Sequence, residues 1–164
     1  AARLSREKRV FVRKTIAFAL GDIGDAAAVA PLVARLGRER DREARAAIVT
    51  ALGEIGSRAA VLPLRERLRD KEPFVRREAA RALGRIGDPS AAGDLVRALE
   101  RDREADVRRH ALEALDRIGG PDARAAITAA VRDPDPYVSD AAFDAMRREA
   151  GAARPATPGK GQRP

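Results

Sequence analysis

The chain of 164 residues contains no cysteine and no tryptophan, and only one histidine, one methionine, one tyrosine and four phenylalanines. Without cysteine there is neither a disulfide framework nor a thiolate metal site, and a reducing compartment is compatible with the sequence. A cytoplasmic location is the expectation. No apolar run approaches the roughly 18–20 residues needed to cross a bilayer. Residues 1–14 carry Arg and Lys without the apolar stretch of a secretory signal. The first residue is Ala1 rather than Met, as in a processed product or a piece of a longer protein. There is no Gly-x-Gly-x-x-Gly segment, phosphate loop or nucleophile elbow, so neither a cofactor nor a catalytic site is expected. What remains is 45% apolar, drawn from Ala, Leu, Val and Ile, with a net charge of +8.

The location of that charge decides what it implies. Residues 1–14 sum to +5 and residues 151–164 to +3, whereas the stretch 15–150 holds 24 basic and 24 acidic residues. The basicity sits at the ends and the body is neutral, which weakens a nucleic-acid reading.

Leu20-Gly21-Asp22-Ile23-Gly24 returns as Leu52-Gly53-Glu54-Ile55-Gly56, as Leu83-Gly84-Arg85-Ile86-Gly87, and in eroded form as Leu115-Asp116-Arg117-Ile118-Gly119. The steps are 32, 31 and 32 residues. A fixed period of this size means stacked copies of one helical unit. Each copy reads as two helices. The first opens on an acid and a Val-Arg pair, as in Glu72 to Arg76 and Glu104 to Arg108, and the acid is expected to accept hydrogen bonds from the unpaired amides of the first turn. From that Val, apolar residues follow at helical period, Ala79, Ala80, Leu83 and Ile86 in the third copy. Gly24, Gly56, Gly87 and Gly119 then end the helix. The second helix carries its own stripe, such as Val29, Leu32, Val33 and Leu36. Neither stripe can be hidden by one hairpin, so neighbouring copies must stack. Four pairs are expected from about Val10 to Asp133, followed by a lone helix from about Pro136 to Ala150, in which Glu149-Ala150 replaces Ile-Gly as a polar end would require.

The segment from Glu72 to Asp88, acid-Pro-x-Val-Arg-x-x-Ala-x-x-Ala-Leu-Gly-x-Ile-Gly-Asp, resembles the HEAT-like repeat named after phycobilisome chromophore lyases. The resemblance covers about residues 10–150. It implies an all-α fold, an α-α superhelix or α-solenoid of about four HEAT-like helix pairs plus a terminal capping helix. Residues 1–9 then form a basic N-terminal segment and residues 151–164 a Gly- and Pro-containing basic tail without order. Repeats of this kind resemble modules in bilin lyase subunits, in deoxyhypusine hydroxylase and in bacterial adaptor proteins. The hydroxylase likeness implies paired His-Glu motifs for two irons, but the matching positions read Arg77-Glu78, Arg109-His110, Ala46-Ala47 and Asp140-Ala141. One imidazole does not supply such a site. The lyase likeness is not excluded, although no concentration of Tyr, Trp or His is available to line a tetrapyrrole pocket.

The expected role is therefore a non-catalytic protein-binding or adaptor module, with its second helices on the inner, concave side of the array. Exposed positions there give Arg38, Glu66, Asp70, Arg97 and Arg101 as candidate partner-binding residues. Alternatives are binding of nucleic acid or another anionic surface through the basic ends and a stripe of Arg77, Arg81, Arg85, Arg109 and Arg117, or an accessory role in a bilin lyase. Arg13, Arg45, Arg76 and Arg108 share one register and are expected to pair with the helix-start acids Asp41, Glu72, Glu104 and Asp135. Phe11, Phe74 and Tyr137 are expected to staple helix starts to their neighbours, and His110 to be an ordinary surface or packing residue.

Overall fold

A computed structural model of the protein describes residues 2–152, with side chains from residue 9 to residue 151. Among the described residues there are nine α-helices and no strands: α1 Ala2–Ile23, α2 Val29–Leu36, α3 Arg42–Ile55, α4 Val61–Arg67, α5 Pro73–Ile86, α6 Ala92–Arg101, α7 Ala105–Ile118, α8 Pro121–Ala130 and α9 Pro136–Ala152. They form four hairpins and a closing helix. The odd-numbered helices stack as one layer, α1 on α3, α3 on α5, α5 on α7 and α7 on α9, and the even-numbered helices cover one side of it.

The repeat glycines end their helices as their sequence places them. Gly56 and Gly87 lie at φ 70° and 68°, in the left-handed region that a side chain disfavours, and their amides donate to the carbonyls of Leu52 and Leu83. Short 3-10 turns then lead into α2, α4 and α6, capped by the side chains of Asp25, Ser57 and Asp88. At the start of the first helices, the Asp41 carboxylate accepts from the amides of Glu43 and Ala44, and Asp135 from those of Tyr137 and Val138. Glu72 and Glu104 make no such bond. Their backbones take the extended capping conformation, but glutamate is not among the side chains short enough to favour this position.

Leu52, Leu83 and Leu115 are fully buried at equivalent positions, whereas Leu20, in the first hairpin, is only partly buried. Two observations concern the edges. The basic segment 1–9 is helical from Ala2 onward and runs into the first repeat without a break at residue 9. Gly151 and Ala152 close α9, and the rest of the expected tail, residues 153–164, lies outside the described residues.

The stacking depends on an alanine-glycine contact absent from the sequence reading. Gly21, Gly53 and Gly84 face Ala51, Ala82 and Ala114 on the following first helix. A Cβ added at Gly53 would sit 2.6 Å from that of Ala82, and one at Gly84 would sit 2.8 Å from the Cα of Ala114. By contrast, Gly93 near the start of α6 faces open space. Gly93→Ala is expected to raise stability by about 0.5 kcal/mol through helix propensity alone, as read from a denaturant midpoint.

Candidate interaction surfaces

The recurring arginines organise the loops. Arg45 donates to Asp70 at 2.9 Å through both Nε and Nη2, and its Nη1 reaches the carbonyl of Arg40 at 2.8 Å. Arg76 repeats this with Asp102 and the carbonyl of Asp70, and Arg108 with Asp133 and the carbonyl of Asp102. Arg13 pairs with Glu39 at 2.7 Å. Each acid also accepts from the amide two residues on, that of Asp41, Glu72, Glu104 or Asp135. The arginines are thus structural, but their partners lie two residues before the expected ones. The guanidinium reaches back into the loop, whereas the helix-start acids sit at the first turn of the next unit. Ser139 stands in place of an arginine in α9, donates to the carbonyl of Pro136, and ends the series.

Burial alone would push the Glu39 carboxyl up, but the Asp41 amide and the guanidinium groups of Arg13 and Arg35 outweigh it and hold the group down at about 2. A native value below the ordinary 4.5 means that ionised Glu39 stabilises the fold fully above pH 4.5 and loses that contribution as pH falls toward 2. Urea midpoints are expected to drop across this window, and Glu39→Gln to flatten the drop.

The candidate partner-binding residues divide. Arg38, Glu66, Arg97 and Arg101 are exposed. Asp70 is not available: its side chain is 6% exposed and fully engaged by Arg45. On the second-helix side, buried Asp94 of α6 gathers Arg65 at 2.5 Å, Arg69 at 3.4 Å, and Arg97. Burial raises the Asp94 carboxyl, and the bonds from Arg65 and Arg97 reverse that and hold it below its usual range. One carboxylate therefore anchors three arginines over the α4–α6 seam, with Arg69 and Arg97 largely exposed. The sequence signal for this cluster, an acid amid arginines recurring on successive second helices, is weak because Asp94 has no counterpart in the other units.

The first-helix stripe is more fully neutralised. Arg77 and Arg81 share the buried Glu78, which also accepts from Thr50, and Arg77 lies over the Phe74 ring at 4.6 Å. Arg85 pairs with Glu54, and Arg109 with Glu113 at 2.6 Å. Arg117 is exposed. Next to Arg109, a groove of about 700 Å³ between α7 and α9 is lined by six carboxylates, among them Asp106, Asp140 and Asp144. A polyanion following the stripe would meet this groove. At the other end of the face, a groove of about 640 Å³ has an Ala46–Ala47 floor between the rings of Phe18 and Phe74. Phe11 and Tyr137 stand 69% and 75% exposed, so the expected staples are not made. His110 is half-buried and donates through Nδ1 to the Asp106 carbonyl.

Among the described residues, no three His, Cys, Asp or Glu side chains are placed to hold a metal ion, and no helix is long and apolar enough to cross a membrane. A model for HEAT repeats matches residues 30–107 and again 94–156, and one for the PBS lyase HEAT-like repeat matches residues 12–38. The chain belongs to the HEAT-repeat family.

Among solved structures, this HEAT-repeat chain is similar to the complex of CpcE and CpcF of phycocyanin lyase from Nostoc sp. PCC7120. The two are 32% identical with a TM-score of 0.73, over 83% of this chain and 58% of the other. Human deoxyhypusine hydroxylase in complex with glycerol is 30% identical with a TM-score of 0.63, over 73% of this chain and 43% of the enzyme. An engineered protein at 23% identity and a TM-score of 0.62 shares the fold. The chain therefore spans 58% of the first structure's length and less than half of the second's. No curated protein matches it. At the positions where the hydroxylase likeness implies metal-binding pairs, Glu78 is engaged by Arg77 and Thr50, and His110 by a backbone carbonyl. These residues do not fit a pair of irons.

Proposed function

We propose that this HEAT-repeat array is a non-catalytic protein-binding module that presents its second helices to a protein partner. The observation that carries this reading is the Asp94-anchored arginine cluster. A buried carboxylate fixes exposed guanidinium groups over a rigid seam, so little side-chain freedom is lost when a partner's acids dock. Arg101 follows Arg97 by one helical turn and Glu66 lies on the neighbouring second helix, giving the face mixed charge. Arg38 extends it toward the first unit. Its partner is a protein of alternating charge, and the array works in a cytoplasmic setting as a scaffold. Capture of a partner followed by Arg97→Ala and Arg101→Ala tests the face: at least tenfold weaker binding is expected, and unchanged binding rejects it.

The likeness to the phycocyanin lyase complex supports a second reading, an accessory subunit of a bilin lyase. Titration with a free bilin is the test, with a shift in the pigment's absorbance expected if the array contacts it. A nucleic-acid role has less support, because the arginine stripe is neutralised by neighbouring acids. Salt titration against non-specific duplex is expected to detect no binding by residues 10–150.

A further inference from the structure

The seam between α4 and α6 carries a charge arrangement that the repeat does not require. Asp94 stands one residue before the buried Leu95; Pro31, Pro63 and Ala126 stand before the equivalent Leu32, Leu64 and Ile127. Those units pack without an acid there, so a buried carboxylate is not a condition of the fold. Such a group costs stability unless cations surround it, and Asp94 has Arg65, Arg69 and Arg97. Among the described residues, none of these arginines pairs with any other carboxylate. Three guanidinium groups against one carboxylate leave an excess of two positive charges. Arg69 and Arg97 donate to the same oxygen, Oδ1, and Arg65 to the other. Two guanidinium groups on one oxygen are close enough for a single anion to bridge. Their side chains are 74% and 51% exposed, so both keep donors free on the solvent side.

We infer that this centre binds the phosphate of a phosphorylated serine or threonine on the partner protein. The site rests on the reading of the second-helix side as the partner-binding face, and adds the group the partner must carry. Charge and shape select the ligand. A phosphomonoester brings close to two negative charges and three acceptor oxygens at neutral pH, which matches the excess charge and the three donor groups. A carboxylate brings one charge and two oxygens, and Asp94 already supplies one. The planar fork of arginine suits phosphate in particular. The surroundings select a protein over an extended polyanion. Exposed Glu66 and Glu100 lie on the same two helices, so a nucleic-acid strand or an anionic membrane laid across the seam would meet them. Every aromatic residue of the chain lies on a first helix, which leaves no platform here for stacking bases. Leu62, 64% exposed and one turn before Arg65, instead offers an apolar contact to a peptide.

Degenerate peptide libraries presented to the immobilised full chain test the assignment, with phosphoserine, serine or glutamate fixed at the centre. Retention of the phosphoserine library is expected to exceed that of the other two by about tenfold. Arg69→Ala, and Arg97→Lys, which keeps the charge but not the fork, are each expected to remove most of that preference. Thermal unfolding is expected to stay unchanged in both variants, since the two side chains are largely exposed. Equal retention of phosphoserine and either control library overturns the inference, as does a preference that survives both substitutions. So does equal retention of a single-stranded oligonucleotide, or of phosphatidylcholine vesicles containing phosphatidic acid. If Arg97→Ala and Arg101→Ala weaken capture of the partner but phosphatase treatment of that partner does not, the protein-binding reading stands and the phosphate site fails. If phosphopeptides are retained through Arg69 and Arg97 while capture ignores Arg97→Ala and Arg101→Ala, the phosphate site stands and the second-helix seat of that partner fails.

Discussion

Arg45→Met is expected to lower the free energy of unfolding by about 3 kcal/mol, because it leaves the Asp70 carboxylate buried without its charge partner. Both side chains are only 6% exposed, so water does not replace the lost bonds. The result is a fall in thermal midpoint of about 6–12 °C for a chain of this size. Burial of the pair is what sets the magnitude. Arg85→Met, which breaks a half-exposed pair with Glu54, is expected to cost less than 1 kcal/mol. The double variant Arg45→Met with Asp70→Leu is expected to recover most of the loss, since two apolar side chains in a dry site replace an ion pair without leaving a stranded charge. Equal effects of Arg45→Met and Arg85→Met would show that the loop series contributes no more than ordinary surface ion pairs.

Gly53→Ala carries the second large effect, a net loss of about 2 kcal/mol. The added methyl would lie 2.6 Å from the Cβ and 2.8 Å from the Cα of Ala82, so α3 and α5 must move apart. Overpacking of this kind costs up to about 3 kcal/mol, and the better helix propensity of alanine returns about 1 kcal/mol. The opposite signs expected at Gly53 and Gly93 separate close packing from propensity within one protein. A loss at Gly53 that is rescued by Ala82→Gly would locate the strain at that contact.

The period and the helix ends were legible in the sequence, because a leucine inside and a glycine just past each first helix recur at a spacing that only stacking explains. The partners of the arginines were not. In each loop two acids recur with the same period, as Asp70 and Glu72 do, and periodicity cannot choose between them; only the reach of the guanidinium can. The same ambiguity made Asp70 read as a surface residue of the second helix. Gly53 and Gly84 repeat visibly, but a glycine inside a helix carries no sign in the sequence of what approaches it. Arg38, Glu66, Arg97 and Arg101 were recognised as exposed because they fall opposite the apolar stripe. Asp94 was missed because it occurs once, and a feature without repetition is invisible to an argument from repetition.

Arg147 occupies the position that holds glycine in the first three first helices. A chain whose two ends were both of the interior type could thread end to end with its own copies into an open filament, since the contact is head-to-tail and has no closing symmetry. In α7 the same position holds Asp116, which accepts from Arg148 of α9 at 2.8 Å, so a charged side chain there is compatible with stacking. Because each first helix packs on the next in the same direction, the stack is polar in the geometric sense: its leading and trailing faces are different surfaces.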